Sequence, residues 1–110
     1  MTAAMLTLPL APALADQRWL ACRYTDARGA VQNFHMAFDD IRGTAALLDA
    51  GSLVEGSNTT INFQSLRTRF PSFSVTYNRN DGALSIAPPG GGMLIGDCRR
   101  SAPPPTAPRR

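Results

Sequence analysis

Apolar and polar side chains alternate along most of this chain, and the alternation has a period of two. Over residues 18–25, Leu20, Cys22 and Tyr24 fall on one side, with Trp19, Ala21 and Arg23 on the other. Over residues 31–39, Phe34, Met36 and Phe38 oppose Asn33, His35 and Ala37, and Asp26-Ala27-Arg28-Gly29 supplies the turn between the two runs. Ala45-Ala46-Leu47-Leu48 lacks a clear period, and residues 44–50 read as strand or irregular structure ending at Gly51. A short strand over 52–55 and a turn at Gly56-Ser57-Asn58 follow. Thr59, Ile61 and Phe63 then alternate with Thr60, Asn62 and Gln64. Phe73, Val75 and Tyr77 alternate with Ser72, Ser74 and Thr76. Asp81-Gly82 marks a tight hairpin into residues 83–87, because glycine accepts the positive φ such turns need. Pro88-Pro89-Gly90-Gly91-Gly92 breaks the pattern before a last strand over 93–99.

Strands this short, with turn residues recurring about every 8 to 12 positions, predict an all-β domain, a small antiparallel sandwich or barrel of about six to eight strands. Three segments read as loops: 39–43, 65–71 and 88–92. They hold the polar and flexible residues that the strands leave unassigned, and loops on a rigid scaffold are where binding residues concentrate.

The first fifteen residues break from this pattern. They hold no charged side chain, are rich in Ala, Leu and Met, and end in Ala13-Leu14-Ala15 before the polar Asp16-Gln17-Arg18. An apolar run closed by a small-x-small site is what signal peptidase reads, so residues 1–15 are expected to be a signal peptide cleaved between Ala15 and Asp16. The run is short of the ~20 apolar residues a spanning helix needs, and Pro9 and Pro12 interrupt it, so no transmembrane segment is expected in the mature chain. Residues 16–100 then form the β domain, and 101–110 a disordered tail rich in Pro and Arg. The expected location is the periplasm or the exterior. A domain of this size buries only about 60–65% of its unfolded surface, so a staple is expected. Cys22 and Cys98 are the only two cysteines and sit near opposite ends of the domain. In an exported chain they favour a disulfide joining the first and last strands over a metal site, which needs further ligands.

The formal charge is +3, but four of the eleven basic residues, Arg99, Arg100, Arg109 and Arg110, fall in the last dozen positions, leaving the domain itself near neutral. The net charge is therefore a property of the tail and is no sign of a nucleic-acid partner.

Three elements of the chain are shared in kind with small exported bacterial proteins of undefined function: an early strand cysteine, Cys22; a strand-turn-strand of the form Thr-x-x-Arg-x-x-Gly-x-Leu, here Thr76 through Leu84; and a closing Gly-x-Cys, here Gly96-Asp97-Cys98. The chain resembles that group over about residues 20–99. The resemblance implies export and a β fold, and carries over no active site. In size and cysteine economy the chain is also similar to the periplasmic C-type lysozyme inhibitors. Those insert a Ser-Gly-x-x-Tyr loop into the lysozyme cleft; here Ser74-Val75-Thr76-Tyr77 lacks the Gly and Gly56-Ser57-Asn58 lacks the Tyr.

No set of residues composes a catalytic motif. His35 is the sole histidine, and there is no Gly-x-Ser-x-Gly. Asp39 and Asp40 are adjacent, so on a strand end they point to opposite faces and make neither a carboxylate pair nor a calcium loop. No cofactor or metal is expected. The leading expectation is a non-enzymatic envelope or secreted module that recognises an envelope protein or glycan through loops, with Arg67, Arg69 and Phe70 as the contact patch, since charge beside an aromatic anchor is common at interfaces. The alternatives are a small extracytoplasmic hydrolase or metal-dependent enzyme working through His35, and a purely structural envelope component.

Overall fold

The computed structural model describes residues 17–105 and 107. The leader at 1–15, the cleavage point between Ala15 and Asp16, and positions 106 and 108–110 of the tail lie outside the described residues.

Nine antiparallel strands form one sheet: β1 (Gln17–Thr25), β2 (Val31–Asp39), β3 (Thr44–Asp49), β4 (Ser52–Glu55), β5 (Ser57–Ile61), β6 (Ser65–Phe70), β7 (Phe73–Asn78), β8 (Ala83–Ala87) and β9 (Leu94–Ser101). The order across the sheet is β4-β3-β2-β1-β9-β8-β7-β6-β5. Each strand pairs with its sequence neighbours except that β4 and β5 do not pair with each other, and β1 pairs with β9, so the chain meanders up and down around a nearly closed barrel. The seam lies between β4 and β5, two halves of one run interrupted at Gly56, whose N–H continues the β3–β4 ladder by donating to the Ala45 carbonyl (2.8 Å). Near-closure of this kind leaves only the short strands β4 and β5 as edges, where a small open sheet would present longer ones.

The alternation read from the sequence is the inside-outside alternation of the barrel. Leu20, Cys22, Met36, Phe38, Leu47, Leu66, Phe70, Val75, Tyr77, Leu84, Ile86 and Cys98 fill the interior. At one end Tyr24, Phe34, Phe73 and Phe70 meet edge to face, with centroids 6.0, 5.7 and 5.7 Å apart along the series, within the range where aromatic pairs attract. Cys22 and Cys98 stand opposite each other in the β1–β9 register, Cα atoms 4.0 Å apart, and are disulfide-bonded. The Cys98 N–H points away from this pair, to the Gly82 carbonyl at 2.8 Å. The bridged residues therefore form a non-hydrogen-bonded pair, where facing side chains are closest.

Four local expectations are corrected. Residues 65–70 form strand β6 and not a loop: Leu66, Thr68 and Phe70 point inward, and the inward hydroxyl of Thr68 is satisfied by Thr59 (2.8 Å). Pro71 comes directly after, in the two-residue β6–β7 turn, where no ladder N–H is needed. Gly56 is the kink between β4 and β5 and not a hairpin turn. A Cβ there would overlap Thr68 Oγ1, so only glycine lets the run change partners from β3 to β6. Phe63 leaves the alternation that ends at Ile61, because Asn62 Oδ1 takes the N–H groups of Gln64 (2.8 Å) and Ser65 (2.9 Å) and turns the chain. Ser101, assigned to the tail, pairs with Trp19 at the end of β9.

Candidate functional site

Arg67 and Arg69 stand on the outer wall of β6, exposed, while Phe70 between the same strand and the core is only 2% exposed. The structure thus keeps the two arginines together and takes away their aromatic anchor. His35 lies on the outer face of β2 opposite Ala21 and makes no side-chain hydrogen bond or ion pair among the described residues. Nor is there, among those residues, a group of three or more His, Cys, Asp or Glu able to hold a metal.

Asp39 is the last residue of β2 and Asp40 the first of the turn, and their carboxylates take different partners. Asp39 is buried, at 2% exposure, and not the solvated turn acid its position suggests. Its Oδ1 closes the β2–β3 turn by accepting from the N–H groups of Ile41 (2.9 Å) and Arg42 (3.0 Å). Asp40 points to the end of the barrel, where Arg79 meets it in a bidentate pair, Nη1 to Oδ1 at 2.8 Å and Nη2 to Oδ2 at 3.1 Å. Nη1 also donates to the Asn62 carbonyl at 2.8 Å, and the guanidinium lies 5.1 Å from the centroid of the Phe38 ring. Arg18 adds a looser contact to Asp40 at 3.5 Å. One arginine from the β7–β8 turn therefore ties the β2–β3 turn to the β5–β6 turn. The planar fork suits this, since it satisfies a carboxylate and still has donors for a carbonyl.

The consequence shows at the turn tips. Ile41, next to Asp40, is 79% exposed, and Phe63, next to Asn62, is 81% exposed. Among the described residues these are the two most exposed large apolar side chains, on two turns that Arg79 ties together. Alternation in the sequence assigned Phe63 to the core. The available signal was Asn62, a residue whose side chain captures the backbone two positions on. Ile41 carried its own signal, an apolar residue inside a turn.

On the wall beside this end, Ala37 and Ala46 leave a hollow of about 200 Å³ bordered by Gln17, Asp39, Arg42, Leu53 and Glu55. The side-chain oxygen of Gln17 is buried without a hydrogen-bond partner among the described residues. At the far end, a hollow of about 290 Å³ opens over Tyr24, Phe34, Leu47 and Phe73.

Comparison with protein-family models, with curated proteins and with solved structures finds no match for this chain. Among the described residues no helix is long and apolar enough to cross a membrane.

Proposed function

We propose that the chain is exported and serves as a non-enzymatic binding module, engaging an envelope protein or glycan through the turns at the Arg79 end of the barrel. The observation that carries this reading is that Ile41 and Phe63 are both highly exposed, on two turns that Arg79 ties together through Asp40 and the Asn62 carbonyl. Exposed apolar tips lower solubility and contribute nothing to the core, so a partner that covers them is their physical justification. A preorganised pair of turns also loses little entropy on binding. The disulfide is compatible with an oxidising compartment, which supports export.

The test is capture from the native envelope fraction by cross-linking, followed by calorimetry with the recovered partner. Ile41→Ser with Phe63→Ser is expected to weaken binding by about tenfold or more while leaving the melting temperature unchanged, because both side chains lie outside the core. Undiminished binding by that variant overturns the reading. Loss of a measured catalytic activity in His35→Ala would replace it with the hydrolase alternative. For export, N-terminal sequencing of the periplasmic or secreted protein should begin at Asp16. Recovery of the whole population in the cytoplasm with Met1 in place counts against it.

A further inference from the structure

We infer that the outer wall formed by β5, β6, β7 and β8 is a second binding face, and that its ligand is an anionic polysaccharide. The register lays out two rows across adjacent strands: Thr60, Arg67, Thr76 and Ser85 in one, and Ser57, Arg69, Ser74 and Ala87 in the other. All of these point outward, since Leu66, Phe70, Val75, Tyr77, Leu84 and Ile86 occupy the inward positions of the same strands. Two arginines thus sit two residues apart on one strand, about 7 Å, within a field of hydroxyls.

The charge pattern is what singles this wall out. Arg18, Arg23, Arg42 and Arg79 lie in ion pairs among the described residues, whereas Arg67 and Arg69, like Arg28, Arg99 and Arg100, lie in none; Arg67 and Arg69 differ from those three in standing on one face of one strand with hydroxyl residues as their cross-strand partners. From Gly56 to Gly96 the sequence contains a single acid, Asp81, and it caps the β7–β8 turn by accepting from the Ala83 N–H (2.9 Å). Asp97, at the far edge on β9, is already held by Arg23 at 3.1 Å. Folding gives no reason for two uncompensated like charges on one strand face, where a neutral Thr has better strand propensity.

The chemistry of the wall selects among polyanions. Guanidinium forks pair with carboxylate or phosphate, and the flanking Thr and Ser hydroxyls both donate and accept, as sugar hydroxyls require. A nucleic acid would want aromatic platforms, and none stands between the arginines; a bilayer would want apolar side chains there, and the positions hold hydroxyls. This inference is independent of the loop-end reading, because Ile41 and Phe63 lie on turns outside the rows.

The experiment is titration of the oxidised mature protein with polygalacturonate, with a phosphodiester-bearing phosphomannan, with neutral dextran and with single-stranded DNA. The two acidic polymers separate a carboxylate from a phosphodiester as the anion recognised. At least one of them is expected to bind, with dextran showing no binding and the DNA binding more weakly. Arg67→Ala with Arg69→Ala should weaken the interaction by about tenfold or more, and the double lysine variant should fall between, because it keeps the charge and loses the fork. Arg99→Ala with Arg100→Ala, which removes equal charge elsewhere, should change it by less than about threefold. Ile41→Ser with Phe63→Ser should leave glycan binding intact, so failure here and failure of the loop-end reading are distinguishable. Binding unaffected by the Arg67 and Arg69 changes, equal binding of dextran or DNA, or no binding to either acidic polymer overturns the inference.

Discussion

Short polar side chains organise most of the turns. Asp26, Asp39, Asn62, Asn78 and Asp81 each accept a backbone N–H two residues on, which orients the turn and satisfies groups the ladder leaves unpaired. Asp26 does most. It accepts from Gln32 Nε2 (3.0 Å) and from the Ala30 and Arg28 N–H groups (2.9 Å each), and these bonds, the Gln32 one foremost, hold its carboxyl below its ordinary value of 3.8. A carboxyl whose folded pKa is depressed contributes stability that is complete above the unfolded value and is lost as pH falls through the folded one. The stability difference between the native protein and Asp26→Asn, measured by urea unfolding, should therefore be constant at neutral pH and shrink below about pH 4. Arg79 is the other residue with more than one task. Its side chain is largely buried, so Arg79→Ala should destabilise by about 2–3 kcal/mol, and Arg79→Lys should recover only part, since an ammonium cannot make the bidentate pair with Asp40 and reach the Asn62 carbonyl as well. In the sequence this arginine was visible as part of a strand-turn-strand pattern; its partners were not, because Asp40 and Asn62 come from two other turns.

Among the elements, β6 and the β4–β5 run show where periodicity is and is not enough. Leu66, Thr68 and Phe70 do alternate, but a threonine at the central inward position and a following proline made the segment resemble a loop. The hydroxyl of Thr59, supplied by the neighbouring strand, is what makes Thr68 acceptable inside. Gly56 resembled a turn for the same local reason, yet the chain continues through it and exchanges one partner strand for another. Gly56→Ala should lower the melting temperature by several degrees, as expected for about 1–3 kcal/mol of overpacking in a domain this small. Adding Thr68→Ala should give a measurable coupling energy, because the clash partner is then gone. Gly96 is a second close approach: a Cβ there would overlap the Arg23 carbonyl, which explains the glycine in Gly-x-Cys at the strand that closes onto β1. The apolar pattern of β1, β2, β7 and β8, in contrast, was legible directly, since one buried face demands period two whatever the partner strand.

For the molecule as a whole, the β1–β9 pairing decides the architecture, and the disulfide sits in it. Joining residues 76 apart in sequence restricts the unfolded chain by roughly 4 kcal/mol in the chain-entropy model. Reduction, or Cys98→Ala, should lower the melting temperature markedly and shift the urea midpoint, with the two thiols appearing only after unfolding or reduction because both cysteines are buried. A barrel sealed this way is a rigid support for two surfaces of different chemistry, the apolar turn tips at one end and the arginine-and-hydroxyl wall on one side.

The sequence by itself determined that the domain is all-β, that its strands carry one apolar face, that Cys22 and Cys98 belong to its first and last strands, and that no motif announces a catalytic centre. Each of these follows from local chemistry: side-chain period, turn residues and cysteine economy. Tertiary structure alone decided that the sheet closes on itself through Gly56, that Phe70 is core and Phe63 is surface, that Arg79 joins three turns, and that Arg67 and Arg69 share a wall without acids. Those facts depend on which strands become neighbours. Alternation specifies that a face is buried; it does not say against what.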